Sequence, residues 1–180
     1  MGSRGTPMLD QLGQPFPPVD LRTLSGTATL GLTQRPESVR RARDFTRNTL
    51  QGWRLPQHFD SVGLVVSELV TNALRHGLGP RPSPTVPPQA NGRPATPAAP
   101  VAPVAIARPL VELELMRCAH RLICAVQDPS GALPRSSDEM DGAAESGRGL
   151  HLVECFSDGW GWRMLAGGRG KVVWAAFQTD

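Results

Sequence analysis

Apolar residues along this chain recur with two different periods, and the change of period marks out the elements. Thr27-Ala-Thr-Leu-Gly-Leu32 reads as a short strand. Pro36 sits where a helix can begin, because the N–H it lacks would be unpaired there anyway. From it Val39, Ala42, Phe45, Thr46, Thr49 and Leu50 return at helical spacing, while Arg40, Arg41, Arg43 and Arg47 take the other face. That pattern predicts an amphipathic helix running to about Trp53. Leu55-Pro56 interrupts, and a second helix is predicted from about His58 to His76. Its apolar positions, among them Phe59, Val62, Val66, Leu69 and Ala73, cover much of its circumference, so it is expected at the centre of the fold. Gly77 and Gly79 end it.

Gly79 to Pro109 has no such pattern: it holds ten prolines, many alanines and almost no large apolar residue. It cannot pack a core and is expected to be a disordered, polyproline-like insert. Residues 1–25 show no sustained period either and are expected to form a disordered tail. Order is predicted again at Leu110, where Val111, Leu113 and Leu115 alternate with Glu112, Glu114 and Met116. A turn at His120-Arg121 and the apolar run Leu122–Val126 complete an antiparallel hairpin. After a loop from Asp128 to Arg148, a short helix is predicted over Gly149–Asp158. Trp160–Leu165 and Lys171–Gln178 form a closing hairpin around Ala166–Gly170. Strands mixed with helices, without βαβ regularity, predict an α+β two-layer sandwich of one sheet and one helical layer over residues 26–180.

Composition narrows the function classes. The chain has 180 residues and 39% hydrophobic residues, enough for one domain with a real core. No run approaches the roughly 20 apolar residues of a membrane span, and Met1–Pro18 lacks the apolar centre of a signal peptide. The chain is therefore expected in the cytoplasm, without membrane contact. Three cysteines, with no CxxC pair, argue against disulfides and structural zinc and are expected to be small buried residues. A net charge of +3 is too mild to mark nucleic-acid binding, and the arginine face of residues 35–47 carries no aromatic stacking pattern.

Three islands carry candidate chemistry. In Ser67-Glu68-Leu-Val-Thr-Asn72, Glu68 and Asn72 are four apart and share one face of an otherwise apolar helix. A carboxylate and an amide oxygen suit a hard ion such as Mg²⁺, although spacing alone is equally met by two residues facing solvent. In Val126-Gln-Asp128-Pro-Ser-Gly131, a carboxylate follows an apolar strand and precedes a tight turn. It can accept a hydrogen bond from an adenine amine, or simply form the turn before proline. In Glu145-Ser-Gly147-Arg148-Gly149-Leu150, two glycines bracket an arginine and open a helix, an arrangement that lets backbone N–H groups approach phosphates. Gly167-Gly-Arg-Gly-Lys171 is not a phosphate loop, because Val172 follows the lysine and the segment lies between strands.

Together the islands resemble the motifs of the GHKL ATPases, the gyrase, histidine-kinase and MutL type of nucleotide-binding domain. "SELVTNALRHG" resembles the N box, "VQDPSG" a degenerate first glycine box, "GRGLHLVECFSDGWGW" the second glycine box and its continuation, and "GKVVWAAF" the closing strand. The degenerate first box is similar to that of the anti-sigma-factor serine kinases. The resemblance implies a Bergerat-type ATP-binding fold, a mixed, mostly antiparallel sheet covered by helices on one face. It implies ATP with Mg²⁺ held by Asn72, Glu68 as general base, Asp128 on the adenine amine, and Gly131, Gly147, Arg148, Gly149 and Leu150 lining the nucleotide. Leu133–Ser146 would be a mobile lid over it. It further implies a serine/threonine protein kinase that modifies a small antagonist protein and sequesters a sigma factor, with no direct nucleic-acid contact. The alternative is a catalytically silent ATP-binding module that works by protein binding alone. Related domains dimerise, which leaves a homodimer open. One departure is Val172, where the closing strand of such domains often has a threonine near the adenine.

Overall fold

The computed structural model describes residues 21–76, 111–134, 148–168 and 170–179. In chain order the elements are β1 (Leu24–Leu32), α1 (Ser38–Gly52), α2 (Phe59–His76), β2 (Val111–Cys118), β3 (Arg121–Asp128), α3 (Arg148–Phe156), β4 (Gly159–Met164) and β5 (Lys171–Gln178). Short 3₁₀ turns occupy Leu21–Thr23, Pro56–His58 and Ala166–Gly168. The five strands form one sheet in the order β1-β2-β3-β5-β4. Every described pair is antiparallel, so the sheet is more uniform than the mixed one expected. The strand predicted at Thr27 starts at Leu24, so residues 21–25 belong to the domain rather than to a tail. The predicted tail up to residue 20 and the insert at 79–109 lie outside the described residues.

Strand alternation divides the sheet into two faces. Leu30, Leu32, Val111, Leu113, Leu115, Leu122, Cys124, Val126, Trp162, Val173, Ala175 and Phe177 point to the helices and form the main core with them. The helical layer contributes Ala42 and Leu50 from α1, Val62, Val65, Val66, Leu69, Val70 and Ala73 from α2, and Val153 from α3. Val62, Val65, Val66 and Val70 are fully buried, as the apolar circumference of α2 requires. Helix α2 packs against α1, α3, β2, β3 and β5, which makes it the hub of the layer. The opposite face carries a smaller cluster of Met116, Cys118, Ile123, Ala125 and Val172.

The arginine face of α1 is partly engaged rather than wholly solvated. Arg43 donates to the Ser67 hydroxyl at 3.0 Å, and Arg43 and Arg47 both lie over the Phe59 ring of α2. At the far end of α1, Gly26 lets the Trp53 ring lie directly on β1, where a Cβ would be 3.0 Å from its indole nitrogen. The cysteine expectation holds for two of the three: Cys118 and Cys124 are buried, but Cys155 is exposed on α3 with its sulfur 3.6 Å from His151 Nε2. None is in a disulfide. Among the described residues, no helix is long and apolar enough to cross a membrane.

Candidate functional site

The first and third islands meet where α2 and α3 pack together. Leu150 and Val153, 5% and 0% exposed, anchor α3 in the core and so hold its first turn against α2. At the contact stands Gly149, which is buried. A Cβ there would be 2.9 Å from Glu68 Oε2, 3.2 Å from Asn72 Nδ2 and 3.4 Å from Asn72 Oδ1. Only a residue without a side chain permits this approach, and it brings the start of α3 onto the Glu68–Asn72 face. The first backbone N–H groups of a helix have no partner within it and carry the positive end of its dipole. The arrangement therefore sets anion-binding donors beside a carboxylate and an amide that are each half-buried. The Leu150 side chain serves packing, so only its backbone is available to a ligand. Gly147 and the Arg148 side chain lie outside the described residues.

The second island lies at the end of β3. Asp128 is 2% exposed. Its Oδ1 accepts two hydrogen bonds, from the Ser130 backbone N–H at 2.8 Å and from Lys171 Nζ at 2.9 Å. The first closes the turn predicted before Pro129; the second is a buried ion pair across the β3–β5 ladder, where Asp128 and Lys171 are partners in register. Gly170 makes this possible. Its φ is +115°, and a Cβ there would lie 2.5 Å from the Asp128 carbonyl oxygen. Gly131 faces the tip of the closing hairpin, with the Gly168 oxygen 3.7 Å from the position of its absent Cβ.

The structure corrects the expectation for the closing strand. Val172 belongs to the cluster on the sheet face away from the helices, so it does not border Asp128. Lys171 does, and sequence reasoning passed over it as part of a false phosphate loop. A signal for it exists: Lys171, Val173, Ala175 and Phe177 share one face of β5, and a lone lysine on an otherwise buried face needs a charged partner.

These residues suit a nucleotide triphosphate with a metal ion. The Gly149 cradle and the α3 N-terminus suit phosphates, and Asp128 suits a base amine. Among the described residues no group of three or more His, Cys, Asp or Glu could cage a metal. Asn72, with Glu68 beside it, would suit an ion held largely by phosphate oxygens, as Mg²⁺ commonly is. A single sheet covered by one helical layer, with a glycine approach at the α2–α3 contact that suits phosphates, fits a nucleotide-binding domain. The family model of the histidine kinase-like ATPase domain matches residues 32–177, and the chain belongs to that family. It is an ATP-binding, kinase-like ATPase module of the GHKL type. The comparison with curated proteins finds no match.

Proposed function

We propose that this domain is a cytoplasmic regulator that transfers the γ-phosphate of ATP to a serine or threonine of a small antagonist protein and sequesters a sigma factor. The observation that carries the reading is the Gly149 approach, which sets Glu68 and Asn72 together beside the α3 N-terminus. In this role Glu68 takes the proton from the attacking hydroxyl as its oxygen bonds to the γ-phosphorus and ADP leaves. Asn72 would hold Mg²⁺ through its amide oxygen, and the ion would supply neutralisation of charge on the phosphates. The backbone N–H groups of Gly147, Arg148, Gly149 and Leu150 position the phosphates, Asp128 receives the adenine amine, and Gly131 lines the base. Glu68 favours transfer over passive binding, since a module that only holds ATP has no use for a base.

The test is transfer of labelled γ-phosphate to candidate antagonist proteins, with calorimetric titration of ATP alongside. Transfer to a serine or threonine supports the kinase. ATP binding without transfer to any candidate assigns the domain to the silent, protein-binding alternative. Absence of heat with ATP at any Mg²⁺ concentration overturns the nucleotide site.

A further inference from the structure

The buried pair at the end of β3 is more than a structural tie. A buried ion pair is a poor source of stability, because desolvating both charges costs about as much as their attraction returns. Here the pair lies at the place assigned to the base, and this inference rests on that assignment. Asp128, Lys171 and Met164 are neighbours in one row across β3, β5 and β4. The next row inward, Val126, Val173 and Trp162, is apolar. On the other side stand Gly131 and the hairpin tip, and the Met164 methyl is 3.8 Å from the position of the absent Gly131 Cβ. Met164 is 37% exposed, so it is the side chain that a ring entering from solvent would push aside.

A carboxylate alone accepts hydrogen bonds and repels a carbonyl. With Lys171 Nζ 2.9 Å from its Oδ1, the same spot offers an acceptor and a donor side by side. Adenine presents a donor and then an acceptor along its edge, the 6-amine followed by N7. Hypoxanthine presents the same order one ring position earlier, N1–H followed by the 6-carbonyl. A ring that slides by one position satisfies both side chains with either base. We propose that Lys171 is a specificity-determining residue of the base pocket, and that with Asp128 it admits 6-oxopurine as well as 6-aminopurine triphosphates.

The experiment is calorimetric titration of the whole chain with ATP, ITP and CTP at one pH and one Mg²⁺ concentration, repeated on Lys171→Met. The expected result is ATP and ITP dissociation constants within about tenfold of each other, with CTP at least about tenfold weaker than both. Lys171→Met should weaken ITP at least about tenfold more than it weakens ATP, since O6 then faces an unpartnered carboxylate while the 6-amine keeps its acceptor. ATP binding with ITP more than about tenfold weaker in the parent overturns the inference and leaves the adenine site intact. Equal binding of all three triphosphates, or an equal loss of ATP and ITP in the variant, also overturns it. If Lys171→Met does not fold, the ratios in the parent decide. No heat with any triphosphate removes the nucleotide site itself, and this inference with it.

Discussion

Gly149 and Glu68 approach so closely that a Cβ on the glycine would stand 2.9 Å from the carboxylate oxygen Oε2. The neighbours it would meet, Glu68 and Asn72, are side-chain ends rather than backbone, so they can move. Gly149→Ala should therefore fold, and it gains up to about 1 kcal/mol of helix propensity in α3. The displacement of Asn72 should cost at least about tenfold in ATP affinity, or about 1.4 kcal/mol. A melting curve equal to or above that of the parent, together with a weaker titration, is the expected pair of results. Unchanged affinity would show that this contact is packing alone.

Glu68 and Asn72 share a helix face but have different proposed tasks, and two variants separate them. Glu68→Ala should leave ATP affinity within about threefold while lowering phosphate transfer by roughly 10²–10⁴, the usual worth of a general base. Asn72→Ala should remove the dependence of ATP affinity on Mg²⁺. Transfer that survives in the first variant makes Glu68 structural. Affinity in the parent that ignores Mg²⁺ counts against Asn72 as a ligand.

The closing hairpin depends on a backbone conformation that side chains rarely adopt. Gly170→Ala places a Cβ 2.5 Å from the Asp128 carbonyl at φ +115°. Strain of about 1–3 kcal/mol, with the clash added, should lower the melting temperature by roughly 5–15 °C. Gly52→Ala is the control: nothing lies within 4 Å of its would-be Cβ, and its melting temperature should not fall.

Thiol chemistry should report the burial of the cysteines. One thiol, Cys155, should react at once with a disulfide reagent, and Cys118 and Cys124 only on unfolding. Burial pushes the Cys124 thiol up from an ordinary value near 9 to about 12. The folded state thus keeps a proton that the unfolded chain loses, so its stabilising effect is complete below about pH 9 and disappears as pH rises towards 12. The alkaline limb should fall by up to about 1.4 kcal/mol per pH unit, and Cys124→Ala should flatten it, as chemical denaturation at several pH values would show.

On the outer sheet face burial, and secondarily the neighbouring Glu112, raises the pKa of the Glu114 carboxyl. Folding therefore disfavours the charged form, so this group supports the fold at acid pH and loses that effect as pH rises through its raised value. Glu114→Gln should melt higher than the parent at pH 7, and the two curves should converge below about pH 4, under the unfolded-state value. A constant difference at all pH values would assign the gain to packing instead.

Much of this architecture is written locally. The apolar circumference of α2, the alternation in β2 and the proline at the start of α1 depend on a few neighbouring residues each, because helix and strand periods are properties of the backbone. The Glu68–Asn72 spacing is local for the same reason, and so are the glycines that open α3. What lay beyond reach was registry between distant segments. Asp128 and Lys171 are 43 positions apart, and their pairing follows from β5 inserting between β3 and β4. The direction of Val172, the exposure of Cys155 and the contact of Gly149 with Glu68 depend likewise on which faces the packed elements turn to one another. Periodicity says that a residue has a buried side; only the closed core, where volume and charge must be matched across the chain, says what it is buried against.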